Sequence, residues 1–160
     1  MIRRCSPADA AWIAEIYNHY VRETVVTFEE LCVTDADMAQ RIGDLTVRHP
    51  WLVWEQDGSI LGYAYASSWK ARSAYRFAVE STVYLAPACT RQGIGSRLYE
   101  ALIAELRSRG VHCVVGGIAL PNPASIALHE KFGFRKIGQF HEVGWKFGAW
   151  VDVGYWELLL

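Results

Sequence analysis

Thr90-Arg91-Gln92-Gly93-Ile94-Gly95-Ser96 sets two glycines, an arginine and a serine between an apolar run, STVYL, and a helical run, SRLYEALIAELRSRG. Glycines at such a junction let successive backbone N–H groups point into one concavity. The helix N-terminus adds partial positive charge, and together they favour a phosphate or pyrophosphate, with Arg91 reinforcing the charge. The same residues also suit a plain strand-to-helix turn that needs glycine for its geometry. A dinucleotide fingerprint, GxGxxG, would need glycine where Leu98 stands, and a P-loop would need a Gly-Lys pair, which the chain lacks.

Other chemistry-bearing residues are scattered. In FAVESTVYL, period-two alternation sends Phe77, Val79, Ser81, Val83 and Leu85 one way and Ala78, Glu80, Thr82 and Tyr84 the other. Glu80 therefore sits mid-strand, either as a solvated or paired surface acid or as a functional one. Lys70, Arg72 and Arg76 crowd the segment WKARSAYRF. That is either a solvated face or a grip for a carboxylate or phosphinate, which an arginine holds by two parallel hydrogen bonds. Asn122 before Pro123 is a good local helix cap. His129 either packs beside Phe132 or serves a reaction. His19, His49, His112 and His141 show no metal spacing, and Cys5, Cys32, Cys89 and Cys113 include no CxxC pair, so no metal and reduced thiols are expected.

The elements that must position these residues fit one domain spanning 1–160. A composition of 52% hydrophobic and 21% charged residues is that of a globular protein, and seven Trp with eight Tyr add a heavy aromatic load. A net charge of −1 leaves no electrostatic footprint for nucleic acid. MIRRCSPADAAWIAEIY has no long apolar core before a cleavage site, and no window has the apolar length of a membrane span, so no membrane partner and a cytoplasmic location are expected.

Ser6-Pro7-Ala8-Asp9 opens a first helix after a short strand, IRRC, and Thr34-Asp35-Ala36-Asp37 opens a second that must stop before His49-Pro50. WLVWEQ, Asp57-Gly58 and SILGYAYASSW read as a hairpin with a two-residue turn. The strand FAVESTVYL follows. Ile94, Leu98, Leu102 and Leu106 mark a third helix ended by Gly110, then a buried strand, HCVVGGIAL. A fourth helix runs from Asn122 to Gly133-Phe134, and the Gly-, Val- and aromatic-rich tail reads as two strands. The order β-α-α-β-β-β-α-β-α-β-β is an α/β protein with a mixed sheet flanked by about four helices.

STVYLAP followed by Arg91-Gln92-Gly93-Ile94-Gly95-Ser96 resembles the acetyl-CoA pyrophosphate loop of the GNAT N-acetyltransferases, Q/R-x-x-G-x-G/A. Thr90 occupies the Q/R position, where this chain departs from the pattern. NHYVRETVVTFE, WKARSAYRFAVESTVYLAP, LPNPASIALHEKFGF and GWKFGAWVDVGYWEL resemble, in order and over nearly the whole chain, the phosphinothricin and methionine sulfoximine/sulfone N-acetyltransferases.

The resemblance implies the GNAT fold, a cytoplasmic homodimer, acetyl-CoA as co-substrate, and acetylation of the α-amine of a small amino-acid-like compound. It implies that Glu80 acts as base, through water, and that His129 assists catalysis. Val83, Tyr84 and Leu85 would pair with the pantetheine arm, which passes Asn122, while Arg91, Gln92, Gly93, Ile94, Gly95 and Ser96 hold the pyrophosphate. Lys70, Arg72 and Arg76 become substrate residues, with Phe28 and Tyr75 walling the side-chain pocket. No cysteine has a base partner in sequence, which favours direct transfer in a ternary complex. Two other readings stay open: a catalytically silent acyl-CoA sensor, and an acetyltransferase for polyamines or protein N-termini. A polyamine site would want an acidic pocket, against which WKARSAYR argues.

Overall fold

A computed structural model describes all 160 residues. The elements are β1 (Ile2–Arg4), α1 (Ala10–Glu23), α2 (Asp35–Thr46), β2 (Trp51–Gln56), β3 (Ser59–Ser68), β4 (Ala78–Leu85), α3 (Ile94–Ser108), β5 (Cys113–Ala119), α4 (Pro123–Lys131), β6 (Arg135–Lys146) and β7 (Ala149–Leu159). This is the expected order. The caps at Thr34 and Asn122 act as their residue types predict, whereas Ser6 makes no side-chain cap bond and a single 3-10 turn, Pro7–Asp9, precedes α1. Thr34 Oγ1 accepts from the Asp37 amide at the start of α2, and Asn122 Oδ1 accepts from the Ser125 amide at the start of α4. Asp9 both bonds the Ser6 amide and pairs with Arg3 at 2.7 Å, which joins the first helical turn to β1. Asp57 and Gly58 both take positive φ in the β2–β3 turn, the conformation an Asp-Gly hairpin favours.

The sheet has seven strands in the order β1-β2-β3-β4-β5-β7-β6, and only the β4–β5 pair is parallel. α1 and α2 cover one face, where Ile13, Val21 and Ile42 bury against Trp51, Tyr63 and Tyr84. There Trp51 stacks on Tyr65 at 4.3 Å, and Tyr63 packs on Tyr84 at 5.5 Å. α3 covers the other face with Ile94, Leu98, Leu102 and Leu106 fully or nearly buried, so its four-residue apolar spacing becomes a core stripe.

One irregularity in the sheet positions the site. β4 pairs with β5 only from Ala78 to Glu80, opposite Cys113 to Val115. Beyond that point β4 continues on β3 as far as Leu85, and β5 continues on β7 as far as Ala119, so the two strands part like a fork. Ser81 closes its base. Its buried hydroxyl bonds Tyr99 Oη at 2.6 Å and reaches the Val115 carbonyl at 3.4 Å, supplying side-chain bonds where the ladder stops.

Candidate active site

A groove of about 620 Å³ runs along the open arm of the fork. One wall is Val83, Tyr84 and Leu85, whose strand edge faces no partner strand past Glu80. Tyr20 Oη donates to the Leu85 carbonyl at 2.7 Å, so α1 fixes the tip of this arm. The opposite wall comes from α4, with Asn122, Ala124, Ser125, Ala127 and Leu128. Extended backbone on one side and small apolar side chains on the other suit a narrow amide-bearing chain.

At its polar end the groove meets the glycine loop. Arg91 and Gly93 both take positive φ, at 63° and 78°, and α3 starts at Ile94 with no side chain capping it. The first amides of α3 are thus left for a ligand. Thr90, Arg91, Gly93, Gly95 and Ser96 line the groove. Gln92 does not: its amide braces the loop on the Ala88 carbonyl, and Ile94 is buried in the core, so neither of the two lines the groove. Lys131 reaches from α4 to donate to Ser96 Oγ at 3.1 Å, which sets a second cation beside Arg91. An uncapped helix end with two cations, followed by a strand edge and an apolar wall, fits the pyrophosphate and pantetheine of a coenzyme A thioester.

A second cavity of about 180 Å³ passes through the fork and shares Val26, Val83, Tyr84, Asn122 and Ser125 with the groove. Glu80 and His129 both line it. They come from opposite faces of the sheet, because Glu80 points with Tyr84 towards α1, whereas His129 lies on α4 under the α3 side of β5. Glu80 is half-buried and no group of the protein bonds its carboxyl. Burial raises its pKa above the ordinary carboxylate range, and the Lys70 ammonium partly offsets that. His129 is 4% exposed. Its Nδ1 donates to the Ser125 carbonyl at 2.7 Å, which leaves the lone pair on Nε2, and Nε2 is buried without a partner. Rings of Tyr99 and Phe134 flank it at 5.2 and 5.1 Å, and burial lowers its pKa, so the imidazole stays neutral.

On the Glu80 side Tyr155, opposite Gly117 on the β5–β7 ladder, packs on Trp69 at 5.8 Å and Phe140 at 5.7 Å, and Lys70 Nζ lies 4.8 Å above the Trp69 ring. The α1–α2 loop closes over this side. Buried Lys146 donates to the Thr27 carbonyl at 2.7 Å, Tyr17 Oη bonds Thr27 Oγ1 at 2.7 Å, and Phe28 lies on Gly144, where a β-carbon would sit 2.4 Å from its ring. Phe28 thus anchors the loop that carries Val26 into both cavities. Of the expected substrate residues, Lys70 alone acts electrostatically on Glu80. Arg72, Tyr75 and Arg76 are exposed on the β3–β4 loop and line neither cavity. Arg76 lies 4.5 Å over the ring of its neighbour Phe77.

Sequence reasoning passed over Tyr20, Val26, Trp69, Tyr155 and Lys131. The aromatic residues carried no spacing that separates them from core. Lys131 had one usable signal, a cation one helix after Asn122. No three His, Cys, Asp or Glu side chains gather where they would hold a metal ion, and no helix is long and apolar enough to cross a membrane.

Residues 13–134 match the model of the acetyltransferase (GNAT) family. Phosphinothricin N-acetyltransferase of Streptomyces viridochromogenes is 41% identical over 98% of this chain and 85% of its own length. L-methionine sulfoximine/L-methionine sulfone acetyltransferase of Salmonella typhimurium is 39% identical over 99% of this chain and 94% of its own length. The crystal structure of a GNAT superfamily phosphinothricin acetyltransferase from Sinorhizobium meliloti in complex with AcCoA superposes with a TM-score of 0.96 at 36% identity. That match covers 100% of this chain and 88% of the other. The family model over residues 13–134 and these relatives make the chain a member of the GNAT family of N-acetyltransferases.

Proposed function

We propose that this enzyme acetylates the α-amine of a small amino-acid-like acceptor of the phosphinothricin, methionine sulfoximine or methionine sulfone type, by direct transfer within a ternary complex. One observation carries the reading: the fork joins a groove of coenzyme A shape to a half-buried, unpaired carboxyl. Acetyl-CoA supplies the activated acetyl thioester. Arg91, Lys131 and the backbone of Gln92, Gly93, Ile94, Gly95 and Ser96 would hold its pyrophosphate, with Val83, Tyr84, Leu85 and Asn122 along its arm.

Proton handling falls to Glu80. An amino-acid amine is mostly protonated at neutral pH and must lose a proton before it attacks a carbonyl, and a positioned base typically contributes about 10²–10⁴-fold. Glu80 accepts that proton, directly or through one water in the fork, and its raised pKa keeps it a better base than a free glutamate. Lys70, the cation that acts on Glu80, would meet the acceptor's carboxylate. Arg72 and Arg76, with Tyr75, stand on the same loop, within the segment that would cover a small acidic acceptor. We assign His129 the supporting part, because its neutral ring ties Ser125, and through it the Asn122 cap, to β5 at the wall where the thioester would lie. Direct transfer is favoured by the absence of any cysteine from the lining of either cavity.

We also propose that the enzyme is a homodimer. β6 is a twelve-residue edge strand, and Phe140, Trp145, Phe147 and Trp150 on its hairpin with β7 are each more than half exposed, a surface that a second copy would cover. Four free thiols fit a reducing, cytoplasmic setting.

Thiol release from acetyl-CoA tests the activity, with phosphinothricin, methionine sulfoximine, methionine sulfone, a polyamine and a peptide N-terminus offered side by side. Turnover with one of the first three, with intersecting rather than parallel initial-velocity lines, is expected. Turnover with the polyamine or peptide alone overturns the acceptor class, and parallel lines overturn direct transfer. Sedimentation gives the oligomeric state.

A further inference from the structure

β5 carries two consecutive glycines mid-strand, an arrangement that weakens a strand and usually marks the close approach of something else. Neither Gly116 nor Gly117 has positive φ, so the backbone conformation does not demand glycine at either place. Space does, and differently on the two faces. A β-carbon on Gly116 would lie 2.5 Å from His129 Nε2 in a sealed interior. A β-carbon on Gly117 would lie 3.0 Å from Glu80 Oε1 and 3.3 Å from Tyr155 Cε1. Gly117 is exposed between two buried neighbours, and it lines the cavity through the fork.

We infer that Gly117 sets how large an acceptor the enzyme accepts: with no side chain there, the Glu80 carboxyl and the Tyr155 ring edge settle close onto β5 and leave the space in front of them to the acceptor's side chain. This rests on the acetyltransferase reading above. Glu80 must be reached by the acceptor's amine, so the atoms attached to that amine occupy the space beside it. The two walls of that space are Tyr155, held by Trp69 and Phe140, and the floor of β5 at Gly117. A methyl group at Gly117 suits the extended backbone, but its β-carbon would lie 3.0 Å from Glu80 Oε1 and 3.3 Å from Tyr155 Cε1, so the flexible carboxyl end and the ring edge must give by a few tenths of an ångström, into the acceptor's space. In a close pocket one methylene discriminates by about 10–200-fold.

The test compares wild type with Gly117→Ala and Gly117→Ser, using alanine as a short acceptor and methionine sulfone as a long one. Thermal unfolding and acetyl-CoA affinity are measured on the same samples. The expected result is a loss in kcat/KM of about 10-fold or more for methionine sulfone relative to alanine in both variants, with unfolding temperature and acetyl-CoA affinity unchanged. Equal losses on both acceptors, or no loss, overturn the inference and leave the acetyltransferase reading standing. Silence of the wild type on every amino-acid acceptor overturns both.

Discussion

Glu80, half-buried, and His129, 4% exposed, line one cavity from opposite faces of the same sheet, yet they stand in different situations. Burial pushes each towards its neutral form, which raises the carboxyl and lowers the imidazole. Glu80 faces an exposed glycine, an aromatic edge and the Lys70 charge, and no group of the protein bonds it. His129 is bonded at Nδ1, packed between two rings and stopped at Nε2 by Gly116. A push towards the neutral form therefore does not give two groups the same chemistry. What decides is whether the group has an open side from which a proton can arrive.

The strongest way to break this contrast is Glu80→Gln. Retained acetyl-CoA affinity with kcat lower by about 10²–10⁴ is expected, measured by calorimetry and thiol release. A variant that keeps its turnover would move the base elsewhere. Gly116→Ala probes the closed side. Overpacking against His129 should cost about 1–3 kcal/mol, seen as a lower denaturation midpoint, whereas the ratio of long to short acceptors stays as in the wild type. Undiminished stability would mean that His129 has room to move. The smallest effect sharpens the open side. Glu80 accepts a proton only when ionised, so kcat/KM rises as pH climbs through its pKa. Lys70 holds that pKa down, so Lys70→Met should shift the rising limb to higher pH. A limb that stays in place, or moves to lower pH, would detach Lys70 from Glu80.

Much of this arrangement was legible in the chain. Alternation in FAVESTVYL put Glu80 and Tyr84 on one face and Ser81 on the other, and the structure keeps that division, with Tyr84 under α1 and Ser81 on Tyr99 of α3. The caps at Thr34 and Asn122 and the Asp57-Gly58 turn were readable because each satisfies a local requirement within three or four residues. The glycine-dependent strand-to-helix turn in TRQGIGS was readable for the same reason, and Gly93 takes the positive φ it requires. Lys131 over Ser96, Tyr20 on the Leu85 carbonyl and Lys146 on the Thr27 carbonyl were not, since each joins residues 35 to 119 positions apart.

By itself, then, the sequence determined the order of elements, the faces of the strands, the glycine-led start of α3 and the resemblance to an acetyltransferase family, because periodicity, capping and turn chemistry act over a few residues. Only the tertiary structure decided that β4 and β5 part after Glu80, that β7 inserts between β5 and β6 to bring Tyr155 beside Gly117, and that His129 ends sealed while Glu80 stays open. Those outcomes depend on which strands become neighbours. Strand pairing is settled by the packing of whole faces, not by any short run of residues.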